Sequence, residues 1–355
     1  MSTVYTMTNS AEGNQVIALN RKKDNTLSLM NAFNTLGKGL GVPNTPNTYN
    51  AGIYPLLSAN SIILSNDNTF LFAVNSGSNT ISSFRVSKLG VLTLADVVLS
   101  GGIHPNSLAI CNDLLYVANA GDNVNASNIT GFRVTSIGHL NMIPNSTEAL
   151  SISTSHPAMI LFNPSGTQLI VTESSTNRIS VFNVKSDGRL TKPTVNISNG
   201  EGPIGAAFHS NGTLFVAESI RNAVSAYCIT ANGTLSVISG SIESGQLGTS
   251  YLSISNVDNN LYASNTAGGS ISVYHINNNC TIYAMGNVKS SPKELPEALP
   301  IDSVISKLGR NFYVLNSNQG TISSFRIDNN GQLNRIQYLT YIDLPKNQVR
   351  GLAII

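Results

Sequence analysis

The stretch LFAVNSGSNTISSFRV (residues 71–86) returns almost word for word as FYVLNSNQGTISSFRI (312–327). A phrase repeated that far apart marks a repeated structural unit, and weaker copies bring the number to seven. Each copy has an apolar run ending in Asn or Glu: Asn9, Asn75, Asn119, Glu173, Glu218, Asn265 and Asn316. A polar stretch follows, then a second run opening at Val16, Ile81, Ile129, Ile179, Val224, Ile271 or Ile322. Six of these second runs place an aromatic three positions on: Phe84, Phe132, Phe182, Tyr227, Tyr274 and Phe325. A further run after a turn, such as GVLTL from Gly90 or GRLTK from Gly188, and another before each first run, such as SIILS from Ser61, complete a unit of four.

Alternating β-branched and aromatic residues bounded by Gly, Asn and Asp read as short antiparallel strands. No stretch reads as a long amphipathic helix. Seven four-stranded units predict an all-β fold, a seven-bladed β-propeller forming one domain over 1–355, with a long loop at 34–60. The chain opens inside a unit and closes on an unpartnered strand, GLAII (351–355). Pairing that strand with VYTMTN (4–9) closes the ring and leaves no inner edge bare. The aromatics of the second runs are expected between neighbouring blades.

Composition narrows the function classes. Only 11% of residues are charged, while 45 of the 355 are Asn, so the surface must be built mainly of amides and hydroxyls. A net charge of +2 with scattered cations gives no basic stripe and argues against a nucleic-acid partner. There is no long apolar run to span a membrane and no signal-peptide order at the start, which makes the cytoplasm the default expectation and leaves a surface or particle location open. Cys111, Cys228 and Cys280 are odd in number and fall in different units, so we expect small buried strand residues rather than a disulfide framework. The seven N-x-S/T sequons are those expected by chance in so Asn-rich a chain.

Several of these phrases carry a resemblance. VYTMTNSAEGNQVIAL, LFAVNSGSNTISSFRV, LYVANAGDN with ITGFRV, and FNPSGTQLIVTESSTNRISVF resemble the lactonase-family seven-bladed propellers, which include bacterial 6-phosphogluconolactonase and fungal carboxymuconate cyclase. The resemblance implies an active site on the face where second strands end, with His, Arg and Glu around the channel mouth. It also implies a Gly-Pro-Arg-His run, at which this chain has Gly202-Pro203-Ile204-Gly205 and lacks both the Arg and the His. A Pro-His pattern one blade earlier is met by His156-Pro157-Ala158, with the His displaced by one, and the family Glu is met by Glu218.

Read from the residues alone, the same face gathers the chain's densest chemistry. An Asn closing a strand is expected to bond its own backbone and cap a turn, whereas Glu173 and Glu218 suit that role less well. Opening a lactone needs a proton transfer and a stabilised oxyanion. Glu218 and His156 are the candidate catalytic groups, and Glu173, Arg178, Arg221, Arg350 and His104 the candidate substrate-binding set. His139, His209 and His275 are expected on the surface or in packing. Glu with several Asn also has the oxygen character of a Ca²⁺ shell, but no calcium-loop motif is present, so neither a metal nor another cofactor is expected. GKGLG (37–41) lacks the Lys-Ser/Thr ending and following helix of a phosphate loop and is expected to let the long loop fold over the ring.

Two functional readings follow. One is a binding or structural scaffold that has lost the family Arg-His, with a protein partner at the channel mouth. The other is a lactone hydrolase or cyclase acting on a lactone or cyclic acid through a rearranged mouth. The missing pair favours the first.

Overall fold

The computed structural model describes residues 2–41, 59–255, 257–292, 298–339 and 344–355. Its first three strands are β1 (Thr3–Met7), β2 (Gln15–Arg21) and β3 (Leu27–Asn34). Blade 2 is β4 (Ile62–Leu64), β5 (Phe70–Asn75), β6 (Thr80–Val86) and β7 (Leu92–Leu99). Blade 3 is β8 (Pro105–Cys111), β9 (Leu114–Asn119), β10 (Asn128–Val134) and β11 (Leu140–Met142), with a two-residue strand β12 (Glu148–Ala149) also on β10. Blade 4 is β13 (Pro157–Phe162), β14 (Gln168–Glu173), β15 (Arg178–Asn183) and β16 (Thr194–Ile197). Blade 5 is β17 (Pro203–Phe208), β18 (Leu214–Glu218), β19 (Ala223–Ile229) and β20 (Leu235–Glu243). Blade 6 is β21 (Thr249–Ser255), β22 (Asn260–Asn265), β23 (Ser270–Ile276) and β24 (Ile282–Lys289). Blade 7 is β25 (Pro300–Ile305), β26 (Asn311–Asn316), β27 (Thr321–Ile327) and β28 (Leu333–Leu339).

The last strand, β29 (Arg350–Ile354), pairs antiparallel with β1 in the register Val4 to Ile354 and Tyr5 to Ala353, giving the sheet order β29-β1-β2-β3. The ring therefore closes as expected. Two outer strands depart from the regular pattern, and a proline accounts for each. GRLTK makes a single bridge, Val184 to Leu190, and the fourth strand of blade 4 starts only at Thr194, after Pro193. In blade 3 the outer strand stops before Pro144 and resumes as β12. Proline has no N–H to give to the ladder, so it breaks an outer strand.

The blades pack face to face through their middle strands. Phe84, Phe132, Phe182, Tyr227, Tyr274 and Phe325 are all buried. Phe84 shares one buried cluster with Phe72, Leu115 and Phe132, which spans blades 2 and 3, and Phe325 shares another with Tyr262 and Val273, which spans blades 7 and 6. Tyrosines add a directional contact. Tyr5, Tyr116 and Tyr262 donate their hydroxyls to Gly90 O (2.9 Å), Gly188 O (2.9 Å) and Gly331 O (3.0 Å) on the outer turn of the next blade. A Cβ at Gly90, whose φ is 79°, would lie 2.2 Å from Thr3 Oγ1, so the turn needs glycine for both its conformation and its contact.

Of the expected loop at 34–60, Asn34 ends β3 and residues 42–58 lie outside the described residues. The GKGLG stretch runs across the ends of blades 1 and 2: Lys38 N bonds Ser78 Oγ (2.9 Å) and Gly39 N bonds Ser10 O (2.8 Å). At the other end, Ala59 N bonds Ala158 O (3.1 Å) and Ala59 O accepts from Ser107 Oγ (2.7 Å), which fixes it to the inner strands of blades 3 and 4. The cysteines are all unpaired, and only Cys280 is buried. Cys228 is exposed, because its position on β19 faces outward, and Cys280 sits in a turn at φ 64°. Among the described residues no helix is long and apolar enough to cross a membrane.

Candidate functional site

The seven residues that end the second strands form a ring, but their side chains do not face a channel. Each is buried. The expected turn-capping role fails for most of the asparagines, because only Asn9 has a left-handed backbone (φ 52°). Instead the amides reach across to the third strand. Asn75 Nδ2 donates to Thr80 Oγ1 (3.1 Å) and Ser82 Oγ (2.7 Å), and Asn265 Nδ2 to Ser270 Oγ (3.1 Å) and Ser272 Oγ (2.9 Å). Asn316 repeats the pattern on Thr321 (3.3 Å) and Ser323 (3.0 Å). The signal was present in the sequence, since a Ser seven residues after the ring residue recurs as Ser82, Ser180, Ser225, Ser272 and Ser323.

The two glutamates take the same position with reversed polarity. Glu173 Oε1 accepts from Ser180 Oγ, and Oε2 accepts from Ser151 Oγ and, at 3.3 Å, from Ser151 N. Glu218 Oε1 accepts from Gly200 N (2.9 Å) and Oε2 from Ser241 Oγ (2.7 Å). The loop entering the blade forms a roof over each glutamate, through Ser151 and Gly200. A Cβ at Gly200 would lie 2.1 Å from Glu218 Oε2, so only glycine lets the backbone come this close.

The candidate cations are not gathered around these carboxyl groups. Arg178 stands opposite Glu173 in the β14–β15 register and donates to Ser151 Oγ at 3.3 Å, so Ser151 bridges the two. Arg221 pairs instead with Glu243 (2.9 Å), and both side chains are more than half exposed. Arg350 is buried and donates to Ser317 Oγ (2.8 Å) and Val349 O (2.7 Å), next to the ring closure. His104 and His156 both precede the proline that starts an inner strand, and both have left-handed backbones (φ 54° and 47°). His104 Nδ1 lies 3.3 Å from Gly121 O. His156 is half-buried, and desolvation pushes its pKa below the ordinary imidazole range. His275 packs on Tyr283 (5.4 Å between ring centroids), His139 is exposed and His209 half-buried.

A recurring latch positions this face. Asn79, Asn177 and Asn222, each left-handed in the turn after the second strand, accept from the N–H of His104 (2.8 Å), Gly202 (2.8 Å) and Gly248 (2.5 Å) in the following blade. Further in, each of β8, β13, β17, β21 and β25 carries a bulge in its first residues. Ala158, Ile204, Tyr251 and Ile301 from those starts share one hydrophobic cluster with Leu344, Val349 and Leu352. Asp302 sits among them, buried, with Oδ1 accepting from Ser303 N (2.8 Å) and Oδ2 from Leu352 N (2.9 Å); burial pushes its pKa up to about 7. Among the described residues no group of three His, Cys, Asp or Glu is arranged to hold a metal.

Seven four-stranded sheets closed by a terminal strand, with a ring of Asn and Glu at the second-strand ends, define the class as a seven-bladed β-propeller. The chain belongs to the lactonase family of seven-bladed β-propellers, which it matches over residues 12–154 and 150–347. No curated protein sequence matches it. Solved structures share the fold at low identity. A Lactobacillus plantarum protein has a TM-score of 0.76 at 16% identity, with 100% of this chain and 99% of that one covered. The periplasmic gluconolactonase of Pseudomonas aeruginosa has a TM-score of 0.75 at 17% identity, covering 100% and 99%. A candidate 6-phosphogluconolactonase of Bacteroides fragilis has a TM-score of 0.71 at 20% identity, covering 100% and 98%.

Proposed function

We propose that this lactonase-family propeller acts as a binding or structural scaffold and does not open lactones. One observation carries the reading: the carboxyl groups at the family's second-strand face are buried and bonded to their own blades. Glu218 is held by Gly200 N and Ser241 Oγ, and Glu173 by Ser151 and Ser180. A general base must reach the proton it takes, and here the roofing loops stand in the way. The absent Arg-His pair points the same way, because the side chains of Ile204 and Gly205 supply neither a cation for an oxyanion nor a group to move a proton.

A second reading, lactone hydrolysis or cyclisation at a rearranged mouth, rests on His156. Its half-buried imidazole, shifted towards the neutral form, follows the β14 end in space, since Pro157 pairs with Glu173. The test is turnover of sugar lactones and carboxymuconolactone by the wild type and by His156→Ala, with thermal melting of both. The scaffold reading expects rates equal to buffer across the panel. Wild-type turnover that falls about 100-fold or more in a His156→Ala protein of unchanged melting would replace it with the enzyme reading.

A further inference from the structure

The face opposite the second-strand ends holds a second concentration of charge. Turns from blades 1 and 7 meet there around a cavity of about 530 Å³, lined by Arg21, Asn25, Arg310, Asn311, Arg326 and Asn329, together with Leu308, Ile327 and Asp328. Three of the chain's ten arginines therefore face one space. The three turns also carry Lys22, Lys23 and Lys307 against only Asp24 and Asp328, in a chain whose net charge is +2.

The way these arginines are held leaves their charge uncancelled. Arg133, Arg189 and Arg221 each pair with a carboxylate, at 2.9, 2.7 and 2.9 Å. Arg21 and Arg310 are instead oriented by amide oxygens, Asn25 Oδ1 (3.0 Å) and Asn329 Oδ1 (3.2 Å), which fix a guanidinium without cancelling its charge. None of the three lining arginines forms an ion pair among the described residues. A planar guanidinium presents paired donors that match phosphate oxygens.

An independent observation concerns Asn311. It is 5% exposed, lines the same cavity, and its Oδ1 finds no hydrogen-bond donor among the described residues. A buried acceptor without a donor is costly unless a ligand supplies one. An anion that also carries an O–H satisfies both features, and the cavity volume is within the range of small-molecule sites.

We propose that the cavity between blades 1 and 7 binds a phosphate group, with Arg21, Arg310 and Arg326 on its charged oxygens and Asn311 Oδ1 accepting from a P–OH or a neighbouring hydroxyl. The shared chemistry leaves two sources, free phosphate and a small phosphate monoester. The experiment is calorimetric titration of the full chain at neutral pH and low salt with inorganic phosphate, with glycerol phosphate, and with sulfate at matched ionic strength. Saturable binding of a phosphate ligand is expected, with sulfate, which offers no O–H at this pH, several-fold weaker. Tighter glycerol phosphate assigns the monoester, and tighter inorganic phosphate assigns the free ion. Arg310→Gln and Arg326→Gln, both at exposed side chains, are expected to weaken binding about tenfold each, with melting unchanged. Arg189→Gln, elsewhere on the surface, is expected to leave it unaltered. No saturable binding of either phosphate ligand, sulfate bound as tightly, or equal losses in Arg189→Gln would overturn the proposal.

Discussion

Blades 2, 6 and 7 end their second strands in Asn, and blades 4 and 5 end theirs in Glu, at one structural position. In the Asn blades a hydrogen-bond chain runs outward: Asn75 Nδ2 donates to Ser82 Oγ, which donates to Thr35 O (2.7 Å) in the roofing loop, and Asn265 acts through Ser272 on Ser244 O (3.4 Å). In blade 4 the chain is reversed, because Ser180 turns its hydroxyl towards Glu173 and the loop offers the N–H and O–H of Ser151. Blade 5 likewise brings Gly200 N over Glu218. A carboxylate can only accept, so a loop that presents a carbonyl to Asn must present a donor to Glu. The glutamates fit their loops as closely as the asparagines do, and a change of residue type at a repeated position is therefore no sign of reactivity in itself.

The largest expected effect comes from removing what holds the ring around both kinds of blade. Deleting residues 350–355 strips β29 from β1, leaves an inner edge bare and takes away the Leu352 N–H that Asp302 accepts. The truncated chain is expected to aggregate or to lose cooperative unfolding in urea. A soluble truncation with an unchanged urea midpoint would show that the ring does not depend on this closure.

Asp302 sharpens the comparison with Glu218, since it is a carboxyl buried in an apolar cluster with only two backbone donors. Its pKa in the fold is about 7 against 3.8 for the free side chain. The folded state thus holds the proton more tightly than the unfolded chain. The resulting stabilisation is fully present below about pH 4 and is lost as pH rises through about 7, amounting to about 2–4 kcal/mol. Urea midpoints measured from pH 4.5 to 7.5 are expected to fall, and Asp302→Asn to flatten that slope. A slope the same in the variant would place the titrating group elsewhere.

The smallest effect is expected at Arg221. Its partner is Glu243 at the surface and not Glu218, and an exposed pair contributes about 0–1 kcal/mol. Arg221→Ala is expected to leave the urea midpoint within error; a large loss would mean that Arg221 acts on the ring after all.

The fold was legible because the blade repeats its own grammar. Seven apolar runs, the recurring aromatic from Phe84 to Phe325 and the split unit at the two ends fix strand count, strand order and closure. The site was less so. Sequence placed Glu173, Glu218, Arg221 and Arg350 on one face, but which way a side chain points depends on the bulges, the loop roofs and partners far away in the chain, such as Glu243 for Arg221. A Ser seven residues after five of the seven ring residues was in plain view, and for Asn75, Glu173, Asn265 and Asn316 it states where the side chain goes. The cavity between blades 1 and 7 joins Arg21 to Arg310 and Arg326 only once the ring has closed, which no local pattern records.

The central claim is that Glu218 holds blade 5 together, and its most direct test is the unfolding free energy of Glu218→Gln. The amide can keep its oxygen on Gly200 N, but its N–H then faces Ser241 Oγ, whose hydroxyl loses the charge-assisted bond it donated to the carboxylate. The account predicts a loss of about 1–3 kcal/mol in urea unfolding at neutral pH. A variant as stable as the wild type would contradict it.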